Sequence, residues 1–459
     1  MEQITKPHCG ARLDRLPDCR WHSSMFAIVA FGLLVCWSNA VGGLILAQLK
    51  ALGWTDNSTT ATFSAITTAG MFLGALVGGI IGDKTGRRNA FILYEAIHIA
   101  SMVVGAFSPN MDFLIACRFV MGVGLGALLV TLFAGFTEYM PGRNRGTWSS
   151  RVSFIGNWSY PLCSLIAMGL TPLISAEWNW RVQLLIPAIL SLIATALAWR
   201  YFPESPRWLE SRGRYQEAEK VMRSIEEGVI RQTGKPLPPV VIADDGKAPQ
   251  AVPYSALLTG VLLKRVILGS CVLIAMNVVQ YTLINWLPTI FMTQGINLKD
   301  SIVLNTMSMF GAPFGIFIAM LVMDKIPRKT MGVGLLILIA VLGYIYSLQT
   351  SMLLITLIGF FLITFVYMYV CYASAVYVPE IWPTEAKLRG SGLANAVGRI
   401  SGIAAPYAVA VLLSSYGVTG VFILLGAVSI IVAIAIATIG IETKGVSVES
   451  LSIYAVANK

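Results

Sequence analysis

The chain has 459 residues, of which 56% are hydrophobic and 12% are charged, and its formal net charge is +10. A soluble globular protein carries roughly a quarter charged residues, so this composition excludes a water-soluble fold and indicates a multi-pass membrane protein. The positive charge does not indicate a nucleic-acid partner, because basic residues collect in the cytoplasmic loops of membrane proteins. The seven cysteines include no CxxC pair, which is typical of small apolar side chains rather than of a disulfide framework or metal site.

A polar and basic segment, residues 1–24, comes first and is followed by an apolar run of more than twenty residues. That run is too long for the apolar region of a cleavable signal peptide, so we predict an uncleaved first helix. Further runs of about 20 mostly apolar residues, the length that crosses a bilayer, recur along the chain. The predicted spans lie near 25–48, 60–82, 89–107, 111–134, 148–171, 182–202, 265–292, 301–323, 331–347, 351–375, 391–415 and 418–440.

Twelve spans arranged as six plus six predict an all-α membrane protein made of two pseudo-symmetric six-helix bundles. The predicted parts are a cytoplasmic N-terminal segment (1–24), an N-terminal bundle (25–202), a cytoplasmic central loop (203–262), a C-terminal bundle (263–440) and a cytoplasmic tail (441–459). The loops predicted outside contain the basic residues Lys50, Arg181 and Lys299, and the other loops contain many more. This asymmetry predicts that both termini are cytoplasmic.

Short charged motifs repeat between the two halves. GDKTGRR, which contains Asp83, is echoed by DKIPRK, which begins at Asp324. EYMP at Glu138 is echoed by EIWP at Glu380, and ESPR at Glu204 is echoed more weakly by ETKG at Glu442; the three offsets are 241, 242 and 238 residues. Three motifs at nearly one offset indicate a duplicated six-helix unit, with a substrate cavity between the halves.

These motifs resemble the sugar-porter and metabolite-porter branch of the major facilitator superfamily. The resemblance rests on GDKTGRR after span 2, PESPR after span 6, VPEIWPTEAKLRGSG between spans 10 and 11, and ETKG after span 12. The opening ARLDRLP and the whole layout are most similar to bacterial inner-membrane metabolite transporters of the YdjE type, relatives of niacin and other metabolite carriers. The resemblance implies alternating access, in which two bundles rock around a substrate held near mid-membrane.

The resemblance also implies a gating role for the charged motif residues, whose networks form when the cytoplasmic side closes and break when it opens. The alternative is that these charges merely retain the loops in the cytoplasm. The predicted gating residues are Asp83, Arg87, Arg88, Glu138, Arg145, Glu204, Arg207, Asp324, Arg328, Glu380, Arg389 and Glu442. Gly70, Gly74 and Gly78, four residues apart on span 2, predict close helix packing.

Ionisable residues inside a span are costly and are therefore candidates for function. Glu95 and His98 lie three apart on span 3, on one helical face, and Arg118 lies in span 4. In sugar-porter relatives an arginine at the position of Arg118 pairs with an acid on span 1, but here span 1 reads CWSNA and has no acid. Either Glu95 and His98 carry the proton, with Arg118 as anchor or anion ligand, or transport is not coupled to protons.

Polar and aromatic residues within spans 5, 7, 10 and 11 predict a substrate site. Span 7 resembles the polar span 7 of sugar porters without an intact double-glutamine motif, and Pro288 favours a broken helix that lines a cavity. The alternative for each residue is ordinary packing and hydrogen bonding between helices. The predicted substrate ligands are Asn157, Trp158, Asn277, Gln280, Tyr281, Asn285, Trp286, Tyr369, Tyr372 and Arg399.

We therefore expect a secondary transporter of a sugar, polyol, sugar acid or small organic acid, working by proton symport in the bacterial inner membrane. Its expected partners are the substrate, protons and the lipid bilayer, and we expect a monomer. The chain has no Walker A loop, HExxH helix or GxSxG elbow, so we predict no enzyme activity, cofactor or metal. Three alternatives stay open: an uncoupled facilitator, a transporter-like solute sensor, and an intramembrane enzyme that uses Glu95 with His98.

Overall fold

A computed structural model describes residues 7–17, 19–35, 39–140, 145–240, 253–323, 325–382 and 386–444, with the backbone only at 133–135, 137, 145–147, 387 and 388. The helices are α1 (Cys9–Asp14), α2 (Arg20–Val35), α3 (Gly42–Ala51), α4 (Asn57–Thr85), α5 (Arg87–Ala106), α6 (Met111–Tyr139), α7 (Arg145–Asn157), α8 (Ser159–Leu170), α9 (Ala176–Tyr201), α10 (Pro206–Ser211), α11 (Tyr215–Thr233), α12 (Tyr254–Leu257), α13 (Gly260–Thr293), α14 (Leu298–Met309), α15 (Gly311–Val322), α16 (Arg328–Ser347), α17 (Met352–Cys371), α18 (Val378–Glu380) and α19 (Lys387–Ile439). A π-helical turn, Tyr372–Tyr377, joins α17 to α18.

Within the described ranges, nine helical runs are long and apolar enough to cross a membrane. One run, Arg389–Ile439, has 51 residues, about twice the length that a bilayer accommodates. Gly417 lies inside it with φ 64°, so the chain turns there and the run contains two of the predicted spans. Predicted span 1 corresponds to α2 and α3, and predicted span 5 corresponds to α7 and α8, which separate at Trp158.

Contacts divide the chain into two compact units. The first unit comprises Met1–Asn39, Gly70–Ser159 and Leu184–Gly246, and the second comprises Ala40–Ala69, Tyr160–Gln183 and Lys247–Lys459. The segments 40–69 and 160–183, which the sequence assigns to the N-terminal bundle, therefore group with the second unit.

Small residues let α4 and α6 approach closely in the first unit. A Cβ atom built on Gly74 would overlap the carbonyl oxygen of Val123, and one built on Gly78 would lie 2.6 Å from the Ala127 Cα. On α6, a Cβ atom at Gly126 would overlap the carbonyl oxygen of Met71. The predicted packing role of the span 2 glycines is confirmed.

In the second unit, α13 continues through Pro288 without a break, so the expectation of a broken span 7 is wrong. Proline lacks the N–H that would bond to the carbonyl of Ile284, four residues earlier. Gly43 of α3 packs against that carbonyl so closely that a Cβ atom would overlap its oxygen. A neighbouring helix thus covers the freed carbonyl, which lets the helix stay continuous.

The N-terminal segment docks onto the loop that follows α9. Cys9, Leu13 and Leu16 are fully buried in an apolar cluster with Trp208 of α10 and Met222 of α11. We call residues 7–17 the N-terminal clasp. Burial raises the pKa of the Cys9 thiol to about 12, so this thiol stays protonated and unreactive. The sequence predicted a polar segment here but not its docking.

Candidate functional site

Charged motif residues of the first unit form one network around Arg87. Its guanidinium donates to Asp83 Oδ1 at 2.6 Å and to Glu138 Oε1 at 2.9 Å. Its backbone N–H, at the start of α5, donates to Glu204 Oε1 at 2.7 Å. The network ties α4, α5, α6 and the segment after α9 together at the end of the unit that carries these motifs, which we call the motif end.

The second unit has an equivalent network around Arg328. The guanidinium Nε and Nη2 donate to the two Glu380 carboxylate oxygens at 3.0 and 3.2 Å. The backbone N–H, at the start of α16, donates to Glu442 Oε1 at 2.8 Å. The sequence repeat is therefore also a repeat of hydrogen bonds: Arg328 contacts Glu380 and Glu442 as Arg87 contacts their counterparts in the first unit.

Glu442 lies at the N-terminus of α16, where backbone N–H groups have no partner within the helix. It accepts hydrogen bonds from the backbone N–H groups of Arg328, Lys329 and Lys444. Burial alone would raise the pKa of Glu442, but these backbone donors outweigh burial and lower the pKa. The carboxylate is therefore ionised at neutral pH and faces the positive end of the helix dipole.

Two further predicted gating residues of the first unit bond to backbone carbonyls. Arg207 donates from Nε to the Glu138 carbonyl at 3.0 Å and from Nη2 to Asp14 Oδ1 of the clasp at 2.9 Å. Arg88 donates from Nη2 to the carbonyl of Trp199 at 2.6 Å. Arg207 thus connects the clasp to the α6 segment that carries Glu138.

The remaining predicted gating residues are described in part. The Arg389 guanidinium lies 5.1 Å from the ring centroid of Tyr254, a cation–π geometry in the second unit. Asp324 and the side chain of Arg145 lie outside the described part of the chain.

Glu95 and His98 are both completely buried on α5 in the first unit, and His98 Nδ1 lies 3.5 Å from Glu95 Oε2. The helix α6 packs tightly here, because a Cβ atom on Gly124 would lie 3.0 Å from the His98 backbone nitrogen. Buried ionisable side chains within a membrane helix are costly and are therefore candidates for function.

Arg118 is buried on α6, and its Nη1 donates to Met121 Sδ at 3.1 Å. Residues 36–38, the part of CWSNA that precedes Asn39, lie outside the described residues.

Side chains from α8, α13 and α17 form a cluster in the second unit: Tyr160, Gln280, Tyr281 and Tyr367. The ring centroids of Tyr160 and Tyr367 lie 5.4 Å apart at an interplanar angle of 63°. Gln280 and Tyr281 lie close to both phenols. We call this group the tyrosine–amide cluster.

Two glycines of α19, the helix that also carries Arg399, let it pack close to this part of α13. A Cβ atom built on Gly402 would lie 3.1 Å from the Tyr281 ring, and one built on Gly398 would lie 3.0 Å from Asn277 Nδ2. Arg399 follows Gly398 directly, so its helical turn packs beside the predicted span 7 ligands.

Several buried polar atoms of the second unit have no hydrogen-bond partner among the described residues. They are both amide atoms of Gln48, Trp286 Nε1, Thr289 Oγ1, Asn305 Oδ1 and Arg399 Nη1. Asn305 also donates from Nδ2 to Ser164 Oγ at 3.1 Å, linking α14 to α8. Buried polar atoms nearly always have a partner, so these side chains are candidate ligand contacts.

The other predicted substrate ligands have packing contacts. Tyr369 donates to the Val272 carbonyl at 3.1 Å, and the Tyr372 ring stacks on Tyr377 at 5.0 Å and 15°. Asn285 is buried on α13 beside Gly43.

Asn157 and Trp158 belong to the first unit, in which Asn157 Nδ2 donates to the Ser153 carbonyl at 2.8 Å.

The predicted substrate set did not include Tyr160, Tyr367, Gln48 or Asn305. Gln48 and Asn305 are amides within apolar runs, a signal that the sequence contains. Tyr160 and Tyr367 have no such signal, because a tyrosine in a membrane helix is equally typical of packing.

Comparisons with known proteins show the family of the chain. The sequence profile of the Major Facilitator Superfamily matches residues 25–406. The inner membrane metabolite transport protein YdjE of Escherichia coli K12 is 44% identical over 455 residues, which cover 98% of this chain and 99% of YdjE. The chain belongs to the major facilitator superfamily. The predicted resemblance, including the YdjE type, is confirmed.

Two more distant relatives extend the comparison. The niacin transporter NiaP of Acinetobacter baylyi is 26% identical over 448 residues, which cover 96% of this chain and 99% of NiaP. The inward-open structure of the E. coli xylose transporter XylE superposes with a TM-score of 0.75 at 16% identity and covers 95% of this chain and 99% of XylE. The all-α membrane fold is confirmed, and the protein is a membrane transporter rather than an enzyme.

Proposed function

We propose that this transporter carries a small polar metabolite by alternating access and that proton symport drives uptake. The observation that carries the proposal is the tyrosine–amide cluster. Its phenols and amide offer both donors and acceptors beside aromatic faces, which suits a ligand that combines a ring with polar substituents. Sites for small molecules typically combine an apolar wall with a few placed polar groups.

The ligand class we propose is a sugar, polyol, sugar acid or small organic acid. Niacin and xylose, the solutes named for two relatives, are both small rings with polar groups. Arg399 Nη1 is buried without a hydrogen-bond partner among the described residues. A guanidinium fits a carboxylate well, so acidic members of this class are favoured. Asn157, Trp158, Asn277, Asn285, Trp286, Tyr369 and Tyr372 stay candidate ligands or supports.

For proton coupling we propose Glu95 with His98. Both side chains are fully buried, and His98 Nδ1 lies 3.5 Å from Glu95 Oε2. An ionisable residue within a membrane helix is costly, so its presence there indicates a function. Arg118, a buried cation on α6, is proposed as the third member of this coupling set. An uncoupled facilitator is the second candidate, favoured because the segment CWSNA of span 1 contains no acid.

We also propose the arrangement in the membrane. Two six-helix bundles, 25–202 and 263–440, are joined by a cytoplasmic loop and flanked by cytoplasmic termini, with the motif ends facing the cytoplasm. The basic loops support this orientation. The gating proposal rests on the paired networks of Arg87 and Arg328. We propose a monomer in the bacterial inner membrane.

A flux experiment in proteoliposomes tests the substrate proposal. A panel of sugars, polyols, sugar acids and aromatic acids is offered to wild type, Tyr160→Phe and the matched control Tyr344→Phe, whose side chain is exposed on α16. Loss of one ligand hydrogen bond lowers kcat/KM by roughly five- to tenfold. We expect that loss for Tyr160→Phe and unchanged flux for Tyr344→Phe. Equal flux in all three proteins removes the cluster from the substrate site.

The coupling proposal has its own experiment. Wild type should accumulate substrate under an inward proton gradient and lose accumulation when a protonophore collapses it. Glu95→Gln should lose accumulation but keep exchange of labelled for unlabelled substrate, since exchange needs no net proton movement. Equilibration of substrate without accumulation, at a rate that the protonophore does not change, favours the facilitator, and binding with no flux at all favours the sensor.

A further inference from the structure

A cleft of about 680 Å³ lies at the motif end of the first unit, apart from the tyrosine–amide cluster. It is bounded by the start of α2, the start of α5, the segment from the end of α9 into α10, and one face of α11. Residues that define it are Trp21, Arg88, Tyr201, Glu204, Lys220 and Ser224. Arg88 and Glu204 also belong to the proposed gating set, but the proposed transport cycle assigns no ligand to the cleft.

Both acidic residues of the cleft lining already have hydrogen-bond donors. Glu204 accepts hydrogen bonds from the backbone N–H groups of Arg87 and Ser205 at 2.7 and 2.9 Å. Glu217 forms two hydrogen bonds with Arg214, at 2.7 and 2.5 Å. The lining contains three cations, Arg88, Arg214 and Lys220, against these two carboxylates, so its net charge is positive.

Arg88 and Lys220 are the cations left over, and neither pairs with a carboxylate of any described residue. Arg88 Nη2 bonds to the carbonyl of Trp199, but its Nε is buried with no hydrogen-bond partner among the described residues. A buried donor on a charged group is costly to leave unbonded, so the Arg88 side chain is under-bonded beside the cleft that it lines. Ser224, one turn from Lys220 on α11, adds a hydroxyl.

The other walls of the cleft are apolar. Trp21, Val221 and Ile225 line it. Two aromatic side chains at the adjoining end of α9 are exposed: Trp199 is 67% exposed and Tyr201 is 61% exposed. Exposed tryptophan and tyrosine are typical of the boundary between lipid tails and headgroups. Basic pockets at such a boundary suit the anionic headgroups of lipids.

We propose that this cleft binds a phosphate-bearing anion, with Arg88 and Lys220 contacting the phosphate and Ser224 donating a hydrogen bond. The same chemistry is offered by an anionic phospholipid headgroup and by free phosphate. Since the Arg88 backbone N–H also contacts Glu204, an occupant here lies next to the Arg87 network.

Binding to the full-length purified protein tests the proposal with two probes. Native mass spectrometry measures retention of phosphatidylglycerol against phosphatidylcholine, and thermal unfolding in lipid-free detergent measures stabilisation by inorganic phosphate. The variants are Lys220→Glu and Ser224→Ala, and the matched control is Arg231→Glu, which makes the same charge change at an exposed position of α11 outside the cleft.

We expect Lys220→Glu to weaken binding about tenfold, the loss of one charge-assisted hydrogen bond, and Ser224→Ala to weaken it less, while Arg231→Glu binds as wild type does. Retention of phosphatidylglycerol without a phosphate effect assigns the site to lipid, and a phosphate shift that Lys220→Glu removes assigns it to a soluble anion. The proposal is overturned if neither probe binds, if Lys220→Glu binds as wild type does, or if Arg231→Glu loses as much.

Discussion

Arg12 of the N-terminal clasp and Glu226 of α11, more than two hundred residues apart in sequence, form a bidentate ion pair. Arg12 Nε and Nη2 donate to the two Glu226 carboxylate oxygens at 3.0 and 2.7 Å. The two side chains are 13% and 12% exposed. Arg12 also pairs with Glu219, and Arg15 donates to Glu226 at 2.6 Å. The clasp is therefore held in place by ion pairs as well as by the burial of Leu13 and Leu16.

Substituting Arg12→Ala should release the clasp, because it leaves Glu226 with one fewer partner in a partly buried site. The expected cost is about 1–3 kcal/mol. Limited proteolysis of the purified protein should cut within residues 7–17 faster than in wild type. Arg223→Ala is the control, since Arg223 pairs with Glu219 at 70% exposure and such pairs contribute little. Equal cutting of both variants would contradict the prediction.

Clasp docking should weaken in acid. Burial alone would raise the pKa of Glu226, but hydrogen bonds from Arg12 and Arg15 outweigh burial and lower it. A lowered pKa means that the stabilisation is complete above the unfolded value of about 4.3 and is lost as pH falls through the folded pKa. Hydrogen exchange of residues 7–17 should therefore be measured from pH 7 to pH 3 and corrected for the intrinsic amide rate at each pH, and the resulting protection should fall over that range. Glu226→Gln should flatten the profile; an unchanged profile would refute the assignment.

The α4–α6 contact should not tolerate a methyl group. Gly74→Ala would place Cβ against the Val123 carbonyl, and such overpacking costs about 1–3 kcal/mol. Its thermal midpoint in detergent should fall below that of wild type. Gly79→Ala is a matched control on the same helix, because no atom lies within 4 Å of its built Cβ. The two variants should differ, and identical midpoints would argue against the close approach.

Arg328→Lys should weaken the hydrogen-bond network around Arg328 in the second unit. The guanidinium contacts both Glu380 oxygens, and an ammonium group cannot reproduce that two-point geometry. If the network favours one state of the transport cycle, the transport rate should change by several-fold, measured in proteoliposomes. Lys329→Arg is the control, since the contact of Lys329 with Glu442 is made by its backbone N–H. A rate equal to wild type for Arg328→Lys would remove this pair from gating.

The spans and the motif repeat were predictable because each depends on local composition or on short charged sequences. Arg87 and Arg328 sit at equivalent offsets, and their hydrogen bonds are equivalent as well. Pro288 misled the prediction, because a proline's effect on a helix depends on what covers the freed carbonyl, and here Gly43 of α3 does. Gly43 and Ile284 are 241 positions apart in the sequence, so no local pattern reveals their contact.

The site was harder to predict than the fold. Tyr160 and Tyr367 come together only through packing of α8 on α17. The clasp shows the same limit: ARLDRLP has charges and leucines in a pattern typical of a solvated tail. Its partner is the apolar face of α11, which carries Met222 and Val229.

The clasp has a consequence for how the protein is made. Its partner helix emerges from the ribosome about 200 residues later, at synthesis rates of roughly 5–20 residues per second, so the N-terminus waits some tens of seconds, while six predicted spans enter the bilayer. Leu13 can therefore dock only after about the first half of the chain, with its six predicted spans, has been synthesised.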